Sequence, residues 1–132
     1  MKILLVDDEP GALDALERAF QEAGFDTARA ADGAEALEAA RRDLPDLVVS
    51  EVLLPSLDGF ALLVAWLQDP ALRSVPFTFY SAVFGGEEYQ SLARRLGAYR
   101  FWQKPMDPRD LVERADDVIQ MGRKGMIGRP EA

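Results

Sequence analysis

The sequence contains no cysteine and no histidine. Without cysteine there is no disulfide framework, no thiol nucleophile and no cysteine-based zinc or iron–sulfur site, and the cytosol is the expected compartment. Without histidine there is no phosphohistidine chemistry, no histidine metal site and no triad with imidazole as its base. The side-chain chemistry that remains is that of carboxylates, hydroxyls and lysine.

Long apolar runs and an excess of positive charge are missing as well. No apolar stretch approaches the roughly 20 residues that span a bilayer, so neither a membrane helix nor a signal peptide is expected. The 15 lysines and arginines stand against 23 acidic residues, and this net charge of −8 argues against direct nucleic-acid binding. With 132 residues, of which 48% are hydrophobic, the chain is expected to fold as one compact domain.

Short apolar segments alternate along the chain with segments of helical periodicity. The predicted strands are KILLV, FDTARA, DLVVSEV, FTFYSA and YRFWQK, with FGG as a flexible turn after the fourth. Predicted helix starts and ends lie at Pro10, Gly24, Asp32, Asp58, Gly97 and Asp107-Pro108. This alternation predicts an α/β fold, a parallel sheet with helices on both faces. Residues 1–121 are expected to form this domain, and 122–132 a flexible tail or linker stump.

Polar side chains stand where four of the five predicted strands end. They are Asp7 and Asp8 after the first strand, Glu51 at the third, Ser81 at the fourth and Lys104 at the fifth. In open parallel sheets ligands bind outside the carboxyl ends of the strands. Clustered carboxylates need a cation to stay ionised together, and either Lys104 or a divalent ion such as Mg²⁺ held by oxygen ligands supplies one. The sequence therefore predicts a metal-site candidate at this edge.

The segments VDDE, EVLLPSLDG, FTFYSA and GAYRFWQKP occur here in the order and spacing of receiver domains of two-component response regulators. The chain resembles this family over roughly residues 1–121. The resemblance implies a doubly wound, five-stranded parallel sheet in the order 2-1-3-4-5 with five helices, the flavodoxin-like or CheY-like fold. It also implies a signalling module rather than an enzyme.

The resemblance assigns roles to the polar residues at the strand ends. In the family an aspartate after strand three accepts a phosphoryl group from a histidine kinase or phosphotransfer protein. The acid pair, here Asp7 and Asp8, holds Mg²⁺ together with the acceptor, whose position is taken here by Glu51. The family's hydroxyl and lysine, here Ser81 and Lys104, bind the phosphoryl oxygens.

Three further features follow from the resemblance. Phe101 corresponds to an aromatic residue that reorients on activation, and Lys104-Pro105 is a candidate cis peptide bond. Effector proteins are expected to bind the face formed by helix four, strand five and helix five. Because Phe101 and Trp102 are neighbours on a strand, one is expected to face the core and the other solvent.

Glu51 departs from the family pattern, because the family has aspartate at this position. The extra methylene lengthens the side chain by about 1.5 Å, and in-line phosphoryl transfer tolerates little misplacement. Three interpretations remain open. Glu51 partly mimics a phosphoryl group by reaching Lys104 and Ser81; or it is inert, and the domain is a phosphorylation-independent docking module; or it still accepts phosphate, or was substituted into a normal receiver.

Two other classes share parts of the pattern. A flavodoxin-like FMN binder needs a phosphate cradle of backbone N–H and hydroxyl donors after strand one, whereas DDEPG offers three carboxylates. A haloacid-dehalogenase-like, Mg-dependent phosphatase pairs the first aspartate with another two positions on, where this chain has Glu9. Both are weaker interpretations than a receiver.

Overall fold

The computed structural model describes residues 1–82 and 87–123, which form a single parallel sheet between two layers of helices. The strands are β1 (Lys2–Val6), β2 (Asp26–Ala30), β3 (Leu47–Ser50), β4 (Phe77–Ser81) and β5 (Arg100–Gln103). The helices are α1 (Pro10–Glu22), α2 (Gly33–Arg42), α3 (Gly59–Gln68), α4 (Glu87–Leu96) and α5 (Pro108–Arg123). Every helix in the described ranges falls short of the length and apolarity needed to cross a membrane.

The strands pair in the order β2-β1-β3-β4-β5, all parallel, which confirms the predicted fold class. Successive side chains of a strand point to opposite faces, and β1 shows this directly. Ile3 and Leu5 pack in the layer under α1 and α5, whereas Leu4 and Val6 pack in the layer under α2, α3 and α4. Both faces of the sheet are therefore buried, which accounts for the nearly unbroken apolar strands.

The expectation that one of Phe101 and Trp102 faces solvent is wrong. Trp102 is 6% exposed and packs in the α1–α5 layer, while Phe101 is half-buried against the opposite layer. The alternation itself holds, but helices pack on both faces of the sheet, so both aromatic rings are at least partly covered although Arg100 and Gln103 at the ends of β5 are exposed.

The helix ends follow the predicted capping chemistry. Asp32 accepts a hydrogen bond from the N–H of Glu35 at 2.8 Å, and Asp58 accepts one from the N–H of Ala61 at 2.9 Å. Gly24 and Gly97 adopt positive φ angles of 94° and 110° just beyond α1 and α4. The last helix continues to Arg123, past the predicted boundary at 121, and the rest of the predicted tail lies outside the described residues, as does the predicted turn at 84–86.

The start of α3 packs directly on the backbone that follows β3. A Cβ atom on Gly59 would lie 2.5 Å from the carbonyl oxygen of Glu51 and 2.8 Å from the Cα of Val52. The N–H of Gly59 donates to the carbonyl of Val52 at 2.7 Å. Gly59 therefore fixes the backbone that carries Glu51.

Gly59→Ala is expected to lower the free energy of unfolding by about 1–3 kcal/mol, the usual cost of forcing an extra methyl group into a packed site. Gly11→Ala is the matched control, because a Cβ there would meet nothing nearer than Glu9 Oε1 at 3.8 Å. That variant should be neutral or stabilising by up to about 1 kcal/mol, since alanine is the better helix former. Urea unfolding of both variants is the measurement, and equal stabilities would contradict the packing argument.

Candidate functional site

Glu51 lies immediately after β3, which ends at Ser50, two residues before the predicted strand end at Val52. Its backbone N–H donates to the carbonyl of Val6 at 2.8 Å, so the hydrogen-bond ladder with β1 continues through it. The side chain is 13% exposed. The carboxylate is thus held on ordered backbone, at the carboxyl edge of the sheet.

Both carboxylate oxygens of Glu51 accept hydrogen bonds. Oε1 accepts from the N–H of Val52 at 2.8 Å and from the hydroxyl of Ser81. Oε2 accepts from the Lys104 ammonium at 2.9 Å. Ser81 is fully buried at the end of β4. The carboxylate therefore spans from β3 across the end of β4 to the lysine that follows β5.

Asp7 joins the same group from β1. Its side chain is 5% exposed; Oδ2 accepts from the Lys104 ammonium at 2.8 Å and Oδ1 from the N–H of Glu9 at 3.0 Å. The N–H of Asp7 donates to the carbonyl of Ala30, which ties this position to β2. Asp7 and Glu51 thus share one ammonium group.

Lys104 is the cation at the centre of the site. Its side chain is 21% exposed, and its ammonium lies 5.3 Å from the ring centre of Tyr80. Burial acts to lower the pKa of Lys104, but hydrogen bonding and charge attraction from Asp7 and Glu51 outweigh it and raise the pKa above its ordinary value. Lys104 is therefore held in its charged form. The predicted cis bond between Lys104 and Pro105 is confirmed.

Asp8 does not join this cluster. It is exposed, and its side chain makes no hydrogen bond or ion pair with any residue that the structure describes. Nor do any three acidic side chains within residues 1–82 and 87–123 form a group suited to holding a metal ion. The oxygen chemistry of Asp7, Asp8 and Glu51 suits Mg²⁺, but their arrangement does not, because Lys104 engages two of the three.

Phe101 lies beside the site rather than in it. Its ring centre is 5.8 Å from that of Phe79, a buried residue of β4. The ring is therefore packed against the sheet, and its predicted switching role remains a prediction.

The sequence did not indicate two contributors to the site. The backbone N–H of Val52 donates to Glu51, and backbone donors leave no trace in residue identity. The hydroxyl of Tyr80 accepts from the N–H of Met106 at 3.0 Å and so positions the segment after Lys104. Its place directly before Ser81 was the available signal.

Comparisons with known proteins agree with this geometry. A family model for the response regulator receiver domain matches residues 3–116. The alkaline phosphatase synthesis transcriptional regulatory protein PhoP of Bacillus subtilis is 33% identical, over 99% of this chain and 52% of its own length. Response regulator PleD of Caulobacter vibrioides is 36% identical, over 80% of this chain and 23% of its own. The chain thus spans about half or less of the length of these two curated relatives.

A solved structure gives the same result in three dimensions. The chemotaxis response regulator CheY4 of Vibrio cholerae matches with a TM-score of 0.82 and 27% identity, covering 89% of this chain and 97% of its own. The family model covers most of the chain, and the sheet order and neighbouring folds agree with it. This chain therefore belongs to the response regulator receiver domain family.

Proposed function

We propose that this chain is a receiver module in which Glu51 stands at the phosphoacceptor position and takes the contacts of a phosphoryl group. The module then signals through protein contacts without being phosphorylated. Receivers of response regulators are signalling modules of two-component systems. They generally bind Mg²⁺ at the phosphorylation site and interact with histidine kinases and effector domains.

The observation that carries the proposal is the double engagement of the Glu51 carboxylate. It accepts hydrogen bonds from Ser81 and Lys104 at once, and these are the side chains that the family resemblance assigns to phosphoryl oxygens. The mimic is partial, since a carboxylate carries one charge and two oxygens against a phosphoryl group's roughly two charges and three oxygens.

The geometry favours this interpretation over the two others. An inert glutamate would be free to turn toward water, whereas this one is 13% exposed and bonded through both oxygens. An acceptor needs an oxygen free to attack phosphorus in line. Here Oε1 already accepts two hydrogen bonds and Oε2 is paired with Lys104, so turning the carboxylate for in-line attack would disrupt these contacts.

The proposed route of output is the face formed by α4, β5 and α5, where a histidine kinase, phosphotransfer protein or effector would bind. Arg94, Arg95 and Arg100 are exposed there, and Phe101 lies on the same strand as Arg100. Residues 1–121 would form the module and 122–132 a tail or linker. Lys104 immediately follows β5, one element of this face, and it is paired with Asp7 and Glu51. It therefore links the two carboxylates directly to this face.

Glu51→Asp is expected to gain one phosphoryl group from acetyl phosphate in the presence of Mg²⁺, with acetate as the leaving group, while wild type gains none. The shortened carboxylate no longer reaches Ser81 and Lys104 together, so an oxygen becomes free to attack. Intact-mass analysis is the measurement, and Glu51→Gln is the matched control that keeps the length without the charge. A phosphate adduct that maps to Glu51 in wild type would overturn the proposal.

Hydrogen–deuterium exchange separates mimicry from inert docking. If Glu51 acts as a phosphoryl mimic, protection in residues 100–122 of wild type should match that of phosphorylated Glu51→Asp and exceed that of Glu51→Gln. A wild-type pattern equal to that of unphosphorylated Glu51→Asp and of Glu51→Gln would leave the docking-module interpretation standing instead.

The ion pairs of Lys104 also predict a stability that falls at alkaline pH. Because the folded-state pKa of Lys104 is raised above 10.5, its contribution is complete below the unfolded-state pKa and is lost as the pH rises through the folded-state value. The free energy of unfolding should therefore fall above about pH 10.5 more steeply in wild type than in Lys104→Met.

Urea unfolding from neutral to alkaline pH is the measurement. At neutral pH the Lys104→Met variant should be less stable by roughly 1.5–3 kcal/mol, the range for hydrogen bonds to charged groups. This gap should stay constant up to about pH 10.5 and narrow above it. If the free energies of unfolding of wild type and Lys104→Met change in parallel at all pH values, the alkaline loss of stability does not come from Lys104.

A further inference from the structure

We infer that the ion-pair cluster of Asp7, Lys104 and Glu51 replaces the divalent metal of this site, so that the chain does not bind Mg²⁺ here. The acidic residues of the sequence and the family resemblance both predict the opposite, a bound Mg²⁺. The inference concerns the same side chains as the proposed function but does not depend on Glu51 acting as a phosphoryl mimic.

Asp7 already has a hydrogen-bond donor at each of its carboxylate oxygens. Its Oδ1 accepts the N–H of Glu9 at 3.0 Å and its Oδ2 accepts the Lys104 ammonium at 2.8 Å. Its side chain is 5% exposed, so water competes little for either oxygen. A metal at Oδ2 of Asp7 would have to compete with a charge-assisted hydrogen bond from Lys104.

Glu51 is likewise held by hydrogen bonds at both of its carboxylate oxygens. Oε1 already accepts two hydrogen bonds, from Val52 and Ser81, and Oε2 is paired with Lys104 at 2.9 Å. This carboxylate thus faces Ser81 and Lys104, whereas Asp8 is exposed. The three acidic side chains therefore do not converge on one point.

The charge balance of the ion-pair cluster also disfavours a bound metal ion. Two largely buried carboxylates and one ammonium leave a net charge of −1, and five hydrogen bonds, two of them from the ammonium, solvate the two carboxylates. A divalent cation would have to enter beside an existing cation, which repels it. Mg²⁺ also demands near-octahedral oxygen ligands and gives up its water reluctantly. Coordination by the exposed Asp8 alone would not compensate Mg²⁺ for the loss of its bound water.

Metal titration without a phosphodonor tests the inference separately from the proposed function. Isothermal titration calorimetry of the full chain with MgCl₂ and MnCl₂ is the measurement, with thermal unfolding in MgCl₂ against KCl of equal ionic strength as a second readout. Wild type should show no saturable heat and the same melting temperature in both salts. Saturable binding by wild type, with a melting temperature raised in MgCl₂, would overturn the inference.

Two variants test the cause. Lys104→Met removes the cation and Glu51→Asp shortens the carboxylate that pairs with it, and we expect each to show saturable Mn²⁺ binding under conditions in which wild type shows none. Lys2→Met is the matched control, because it removes an ammonium paired with Asp43 outside the site. It should bind metal no better than wild type.

If Lys104→Met unfolds without metal, its refolding by MgCl₂ on circular dichroism would support the inference, since the metal would then replace the missing ammonium. Glu51→Asp keeps Lys104 and provides the test in a folded chain. If neither variant gains metal binding over wild type, the ion-pair cluster is not what excludes the metal, and the inference fails.

Discussion

The structure around the site depends on one ammonium group shared by two carboxylates. Asp7 follows β1, Glu51 follows β3 and Lys104 follows β5, so this single contact joins three strands at the same edge of the sheet. β4 lies between β3 and β5, and the hydroxyl of its last residue, Ser81, donates a hydrogen bond to the Glu51 carboxylate. Removing Lys104 would leave two negative charges with little water to solvate them, because both carboxylates are largely buried.

Most of the fold could be predicted from the sequence because its signals are local and repeated. The apolar strand segments, the capping aspartates and the glycines after α1 and α4 each specify one element, and all agree on the same alternation. The start of α2 was predicted correctly because Asp32 caps it. Strand ends were less accurate: β3 stops at Ser50, since pairing rather than composition decides where a strand ends.

The site was predictable in its members but not in its contacts. Topology alone brings Asp7, Glu51, Ser81 and Lys104 to one edge. Two adjacent aspartates in a turn look equivalent as letters, yet Asp7 is buried and Asp8 is exposed, because the turn aims them differently. The sequence likewise gave no indication of which atoms donate hydrogen bonds to Glu51. The direction in which its longer side chain turns is a matter of three-dimensional packing, and it decides whether the acids face a metal or a lysine.

The two buried faces of the sheet have a consequence for spectroscopy. The chain contains two tryptophans, and each layer holds one. Trp66, a residue of α3, lies in the layer formed with α2 and α4 and donates its indole N–H to the carbonyl of Val75 at 3.2 Å, and Trp102 of β5 lies in the layer under α1 and α5. Each half of the molecule thus carries its own intrinsic fluorophore. Replacing either indole by phenylalanine would leave a single emission that reports on one layer, so a change made at the strand ends could be followed into each half of the protein independently.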